Sequence, residues 1–127
     1  MTQRLKVLIV DDDPVSLILS QEALAALGHD VLTHDRAFGT APLVARERPD
    51  VVVIDIHMPA LSGHEIVRLV GELEARGTGA RTRFILHSGD SEEELARLVA
   101  QTGALGAIRK TGDVAAFQHA FQRLVAV

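Results

Sequence analysis

Leu5-Lys6-Val7-Leu8-Ile9-Val10-Asp11-Asp12-Asp13-Pro14 runs from an apolar segment straight into three carboxylates and a proline. The apolar part, Leu5 to Val10, predicts a strand. Asp13 then suits a helix N-cap, and Pro14 suits the first helical position, where its missing N–H costs nothing. Three further apolar runs end in the same abrupt way. Val51 to Ile54 leads into Asp55, Phe84 to Leu86 into His87 and Ser88, and Ala107 and Ile108 into Arg109 and Lys110. If the four runs are parallel strands of one sheet, their carboxyl ends bring acids, a hydroxyl and an amine into one crevice, the place where open α/β sheets bind ligands.

The segments between the runs read as helices. Leu17, Ile18, Leu24 and Leu27 recur at helical spacing up to a stop at Gly28. Val31 to Thr33 is a second, less continuous strand nearer an edge, and Phe38 to Arg48 is a helix ended by Pro49. Val51 to Ile54 is β-branched throughout, as a central parallel strand covered on both faces should be. Pro59 to Gly63 is a loop, after which Ile66, Val67, Leu69, Val70 and Leu73 mark a third helix. Gly77 to Thr82, with Arg81, reads as a loop, and Ser91 with Glu94 forms a capping box before the stripe Leu95, Leu98 and Val99. The fifth strand, Ala107 to Arg109, is short, and Val114, Phe117, Phe121 and Leu124 stripe the last helix. Five strands alternating with five helices predict an α/β fold: one flavodoxin-like, doubly wound (βα)5 domain over residues 1–127, with a parallel sheet in the order 2-1-3-4-5.

Composition narrows the class of partner. The chain has 127 residues, 47% of them hydrophobic and 24% charged, which is globular usage in a length typical of one domain. It has no cysteine, so disulfides and thiolate metal sites are excluded. A net charge of −4, with no basic run and only four Phe as aromatic residues, argues against direct nucleic-acid contact. The apolar runs are far shorter than the roughly 20 residues of a membrane span, and no signal-peptide core follows Met1 to Lys6. A cytoplasmic location is the expectation.

Carboxylates crowded at one strand edge must hold a proton or recruit a cation, and an all-oxygen set suits Mg²⁺. Lys110 offers a positive charge and Ser88 a hydroxyl for phosphate oxygens, while a carboxylate such as Asp55 can act as a nucleophile. Phosphoryl transfer needs little more than such positioning and charge neutralisation.

These residues resemble the receiver domains of two-component response regulators, in particular the stand-alone chemotaxis-regulator type. The resemblance covers essentially the whole chain, from VLIVDDD through VIDIHMPALSG and ILHSG to IRK. It implies that Asp55 is the phosphoacceptor and that Asp12 is a direct Mg²⁺ ligand. Asp11 would contribute through metal-bound water and His57 through its backbone carbonyl. Ser88 and Lys110 would take the places of the family's hydroxyl residue and lysine, and His57 and Asp90 would flank the path of attacking water. It also implies a sensor histidine kinase or histidine phosphotransfer protein as phosphodonor, and output to a protein partner or a second copy through the face spanning roughly Ser91 to Val127. A receiver of this kind catalyses only its own phosphorylation and dephosphorylation.

Two positions depart from the family pattern. Ala107 stands where many receivers carry a switch aromatic, and Thr111 where proline commonly follows the lysine, which disfavours a cis peptide there. An alternative is therefore a degenerate receiver acting as a phosphorylation-independent interaction module. A haloacid-dehalogenase-type phosphatase, with its nucleophile within Asp11-Asp12-Asp13, would leave Asp55 without a role. His29, His34, His64, His87 and His119 are scattered and receive no assignment.

Overall fold

The computed structural model describes residues 3–59, 61–75 and 82–126. Its elements alternate strictly: β1 (Lys6–Val10), α1 (Pro14–Ala26), β2 (Asp30–His34), α2 (Thr40–Glu47), β3 (Val51–Asp55), α3 (Gly63–Ala75), β4 (Arg83–Ser88), α4 (Glu92–Thr102), β5 (Gly106–Arg109) and α5 (Val114–Val125). The sheet is parallel throughout in the order β2-β1-β3-β4-β5, as the sequence predicts.

Strand alternation sends side chains to two cores. Leu8, Val10, Val52, Ile54 and Leu86 pack beneath α2, α3 and α4 with Ile66, Val67 and Leu95. Val7, Ile9, Val51, Val53 and Ile85 pack beneath α1 and α5 with Leu24, Phe117 and Phe121. Each fully buried aliphatic or aromatic side chain contributes about 1.5–3 kcal/mol. All five residues of β3 are buried, in keeping with its central place.

Two caps follow the sequence reading, at Asp13 and Ser91, and a third is found at Asp113. Asp13 Oδ1 accepts from Val15 N with Pro14 at the first turn, Ser91 Oγ accepts from Glu94 N, and Asp113 Oδ1 accepts from Ala116 N. Boundaries shift where backbone geometry intervenes. Helix α2 starts at Thr40 rather than Phe38 because Gly39 sits at φ 85°, and it leaves Phe38 86% exposed. It stops at Glu47, where Arg48 turns left-handed at φ 48° and the following Pro49 cannot continue a helix. Ile18 and Leu69, counted in apolar stripes, lie on the solvent side of their helices. Strand β4 extends through Ser88 and β3 through Asp55, so both polar residues belong to the sheet itself. The expected loop Gly77 to Thr82 lies outside the described residues except for Thr82, which is buried and donates from Oγ1 to the Pro49 carbonyl.

Candidate functional site

The parallel register aligns the strand ends. Val10 lies opposite Ile54, Asp55 opposite His87, and Ser88 opposite Arg109, so the residues that follow each strand emerge along one edge. Asp11 and Asp55 are buried there, and Lys110 reaches both: its Nζ lies 2.9 Å from Asp11 Oδ2 and 3.5 Å from Asp55 Oδ2. Asp12 is exposed beside them, and one carboxylate oxygen from each of Asp11, Asp12 and Asp55 falls within 4.8 Å of the other two.

Backbone geometry holds each group in place. Asp55 Oδ1 accepts from His57 N at 2.9 Å, which leaves Oδ2 facing Lys110. Ser88 is buried, accepts from Asp90 N at 3.1 Å through Oγ, and receives the Lys110 N–H on its carbonyl at 2.7 Å. Ser88 and Lys110 are thereby tied together across β4 and the end of β5. The loop beyond Lys110 turns at Gly112 (φ 79°), and no described peptide bond is cis, which agrees with Thr111 in place of proline. Behind Asp55, Gly63 opens α3 so close to the acceptor strand that a Cβ there would stand 2.4 Å from the Asp55 carbonyl oxygen. Only glycine permits this approach.

The electrostatics set the two buried carboxylates apart. Burial pushes the Asp55 carboxyl up to about 6, the neighbouring Asp11 adds to this, and the His57 amide and Lys110 oppose it. For Asp11 burial acts in the same upward direction, but Lys110, the Asp13 amide and the Ser16 hydroxyl outweigh it and hold the group below the usual carboxylate range. Burial alone would lower Lys110, yet its contacts with Asp11 and Asp55 keep its proton more firmly than usual. At neutral pH the site therefore holds an ionised Asp11–Lys110 pair beside an Asp55 carboxylate whose negative charge is costly, so that a cation bound there would relieve it.

The donor set fits Mg²⁺. The three carboxylates are hard oxygen ligands, and no thiolate is present. Asp11, Asp12 and Asp55 could hold the ion.

Residues 7–122 match the family described as response regulator receiver domain. The chain belongs to that family. Among its relatives, virulence sensor protein BvgS of Bordetella pertussis is 38% identical over 82 residues, 65% of this chain and 7% of BvgS. Protein PilH of Pseudomonas aeruginosa is 38% identical over 63 residues, 50% of this chain and 52% of PilH. The chain thus spans about half the length of one of these relatives and under a tenth of the other. In fold it superposes on the chemotaxis response regulator CheY4 of Vibrio cholerae with a TM-score of 0.83 and 23% identity, over 96% of this chain and 99% of that one.

Within this receiver the structure brings Asp11, Asp12, Asp55 and Lys110 together, with Ser88 bonded to the same edge. The His57 side chain is exposed, yet its Nε2 lies 2.6 Å from Asp90 Oδ2, a pairing that spacing alone did not reveal. Ser16 has no place in the sequence reading, and His87 receives no assignment there. Ser16 donates to Asp11 Oδ2 at 2.7 Å; its sequence signal is a hydroxyl five positions after the first acid, in the first turn of α1. His87 is buried against Phe117, ring centroids 5.0 Å apart, and burial with Lys110 nearby lowers its pKa to about 4. It is a neutral part of the floor beneath α1 and α5. Ala107 is half-buried against the α4 side, so the small side chain contributes packing where an aromatic would swing. Among the described residues no helix is long and apolar enough to cross a membrane.

Proposed function

We propose that this receiver is a phosphorylation-activated switch of a two-component phosphorelay, with Asp55 as the acceptor. The observation that carries the reading is the Lys110 ammonium poised between Asp11 and Asp55 at the edge where Asp12 completes an oxygen-ligand set. One Asp55 oxygen is fixed by the His57 amide, which leaves the Oδ2 side to attack phosphorus. The P–O bond of an acyl phosphate, or the P–N bond of a phosphohistidine, breaks as the Asp55 O–P bond forms, and acetate or the histidine leaves. Mg²⁺ held by Asp11, Asp12, Asp55 and the His57 carbonyl would supply charge neutralisation for the phosphoryl oxygens. Lys110 would move from Asp11 to one of those oxygens, and Ser88 would turn its hydroxyl hydrogen to another.

The donor in this reading is a sensor histidine kinase or histidine phosphotransfer protein in the cytoplasm. A protein partner or second copy reads the state on the α4–β5–α5 face, and the whole of residues 1–127 serves as one receiver domain. Incubation with acetyl phosphate and Mg²⁺ should add one phosphoryl group per chain by intact mass. A chelator should abolish the gain, and a folded protein that gains nothing with Mg²⁺ would end the reading.

The His57–Asp90 contact joins the loops that follow β3 and β4, two residues beyond Asp55 and Ser88 respectively. A closed pair hinders water from reaching the acyl phosphate, so His57→Ala and Asp90→Ala are each expected to shorten its lifetime about three- to tenfold. The double variant should do no more than either alone, because both remove one interaction. The decay of trapped phosphoprotein measures this, and lifetimes equal to wild type would refute it.

A further inference from the structure

Ser16 stands where a helix turn meets the site, and no catalytic step above uses it. It lies on α1 three residues after the Asp13 cap, and its Oγ donates to Asp11 Oδ2 at 2.7 Å. The same oxygen receives the Lys110 ammonium at 2.9 Å, while Asp13 N donates to Oδ1 at 2.9 Å. Asp11 is 1% exposed, so these three contacts set its rotamer. Both Asp13 N and Ser16 Oγ come from the start of α1, whereas Lys110 comes from the far side of the sheet.

Lys110 cannot serve Asp11 and a phosphoryl group fully at once. When it swings to phosphate oxygens, a buried carboxylate loses a charge-assisted bond, a loss that leaves an ion in low dielectric short of a donor. We propose that Ser16 is a positioning residue for the metal site: its hydroxyl holds the Asp11 carboxylate in the orientation that faces the cation while Lys110 departs. The inference rests on the phosphorelay reading above. Hydrogen bonds of this kind to ligating carboxylates typically govern metal affinity by 10–100-fold. Here the lower end applies, because Ser16 also borders a cavity of about 240 Å³ between α1 and α5. Water entering that cavity could replace part of the lost bond.

The test compares Mg²⁺ binding by calorimetry, without any phosphodonor, in wild type, Ser16→Ala, Ser16→Thr and Ser20→Ala. Ser20 borders the same cavity one turn along α1 and donates to no site carboxylate in this structure, so it reports general disturbance of the helix. Ser16→Ala should weaken Mg²⁺ binding about tenfold, and Ser16→Thr should recover most of that. Ser20→Ala should bind like wild type. In acetyl phosphate assays, Ser16→Ala should require more Mg²⁺ for half-maximal rate yet approach the wild-type rate at saturation. Equal Mg²⁺ affinity in wild type and a folded Ser16→Ala would overturn the positioning role while leaving the phosphorelay reading intact. Equal weakening by Ser20→Ala would overturn it too. A wild-type protein that binds no Mg²⁺ would overturn the phosphorelay reading and this inference together.

Discussion

Gly63→Ala is expected to lower stability by about 3 kcal/mol or more and to slow phosphoryl uptake at least tenfold. The added Cβ would stand 2.4 Å from the Asp55 carbonyl oxygen and 3.0 Å from both Asp55 C and Ile56 Cα. All three are backbone atoms, so no side-chain rotation relieves the contact; α3 must move off β3, carrying the acceptor loop with it. Gly71, on the same helix, has nothing within 4 Å of its would-be Cβ. Gly71→Ala should therefore stabilise the protein by up to about 1 kcal/mol through helix propensity alone. Urea midpoints of the two variants, with initial rates of acetyl phosphate labelling, measure both expectations. Wild-type stability and rate in Gly63→Ala would show that the close approach does not position Asp55.

Asp55→Asn should change function and stability in opposite directions. Phosphoryl uptake is expected to vanish, since the amide is no nucleophile, while the Mg²⁺-free protein at pH 7.5 should gain on the order of 1–2 kcal/mol. The gain follows from burial of a carboxylate beside Asp11, which raises its pKa from 3.8 to about 6. Between those values the folded wild type binds a proton that the unfolded chain does not, so wild-type stability falls as pH rises through the window. The asparagine variant lacks this slope. Its advantage should be full above about pH 6 and gone near pH 4. His87 acts with the opposite sign: its pKa, lowered from 6.5 to about 4, costs stability as pH falls through that range. Both proteins carry His87, so its contribution cancels in the difference. Urea melts from pH 4 to 8 measure the trend, and a variant less stable than wild type at pH 7.5 would contradict a net cost of burying the Asp55 charge. Added Mg²⁺ should narrow the gap by stabilising the wild type more.

The fold was legible because a few strong local signals agree. Four apolar runs each stop at polar residues, Val51 to Ile54 has the composition of a covered strand, and Asp13-Pro14 and Ser91 with Glu94 mark helix starts that the backbone bears out. The spatial meeting of Asp11, Asp55 and Lys110 follows from parallel topology alone, since every strand delivers its carboxyl end to one edge. What stayed hidden depends on distance between residues that no periodicity links. The His57–Asp90 contact joins two loops 33 positions apart, and the pairing of His87 with Phe117 forms only when β4 and α5 close on the same core. The bond from Ser16 to Asp11 depends on how the first turn of α1 meets the end of β1. Boundary errors at Phe38 and Arg48 have a different origin, in the left-handed backbone at Gly39 and Arg48, which side-chain pattern does not encode.

Acyl-phosphate trapping addresses the acceptor itself. The wild-type protein would be incubated with Mg²⁺ and acetyl phosphate, reduced with borohydride, digested and sequenced by tandem mass spectrometry. Reduction of an aspartyl phosphate yields homoserine, which should appear at position 55 and nowhere else, and only when Mg²⁺ was present. Homoserine at position 11, 12 or 13 in place of 55, or a folded protein bearing none, would contradict the assignment of Asp55 as the residue that receives the phosphoryl group.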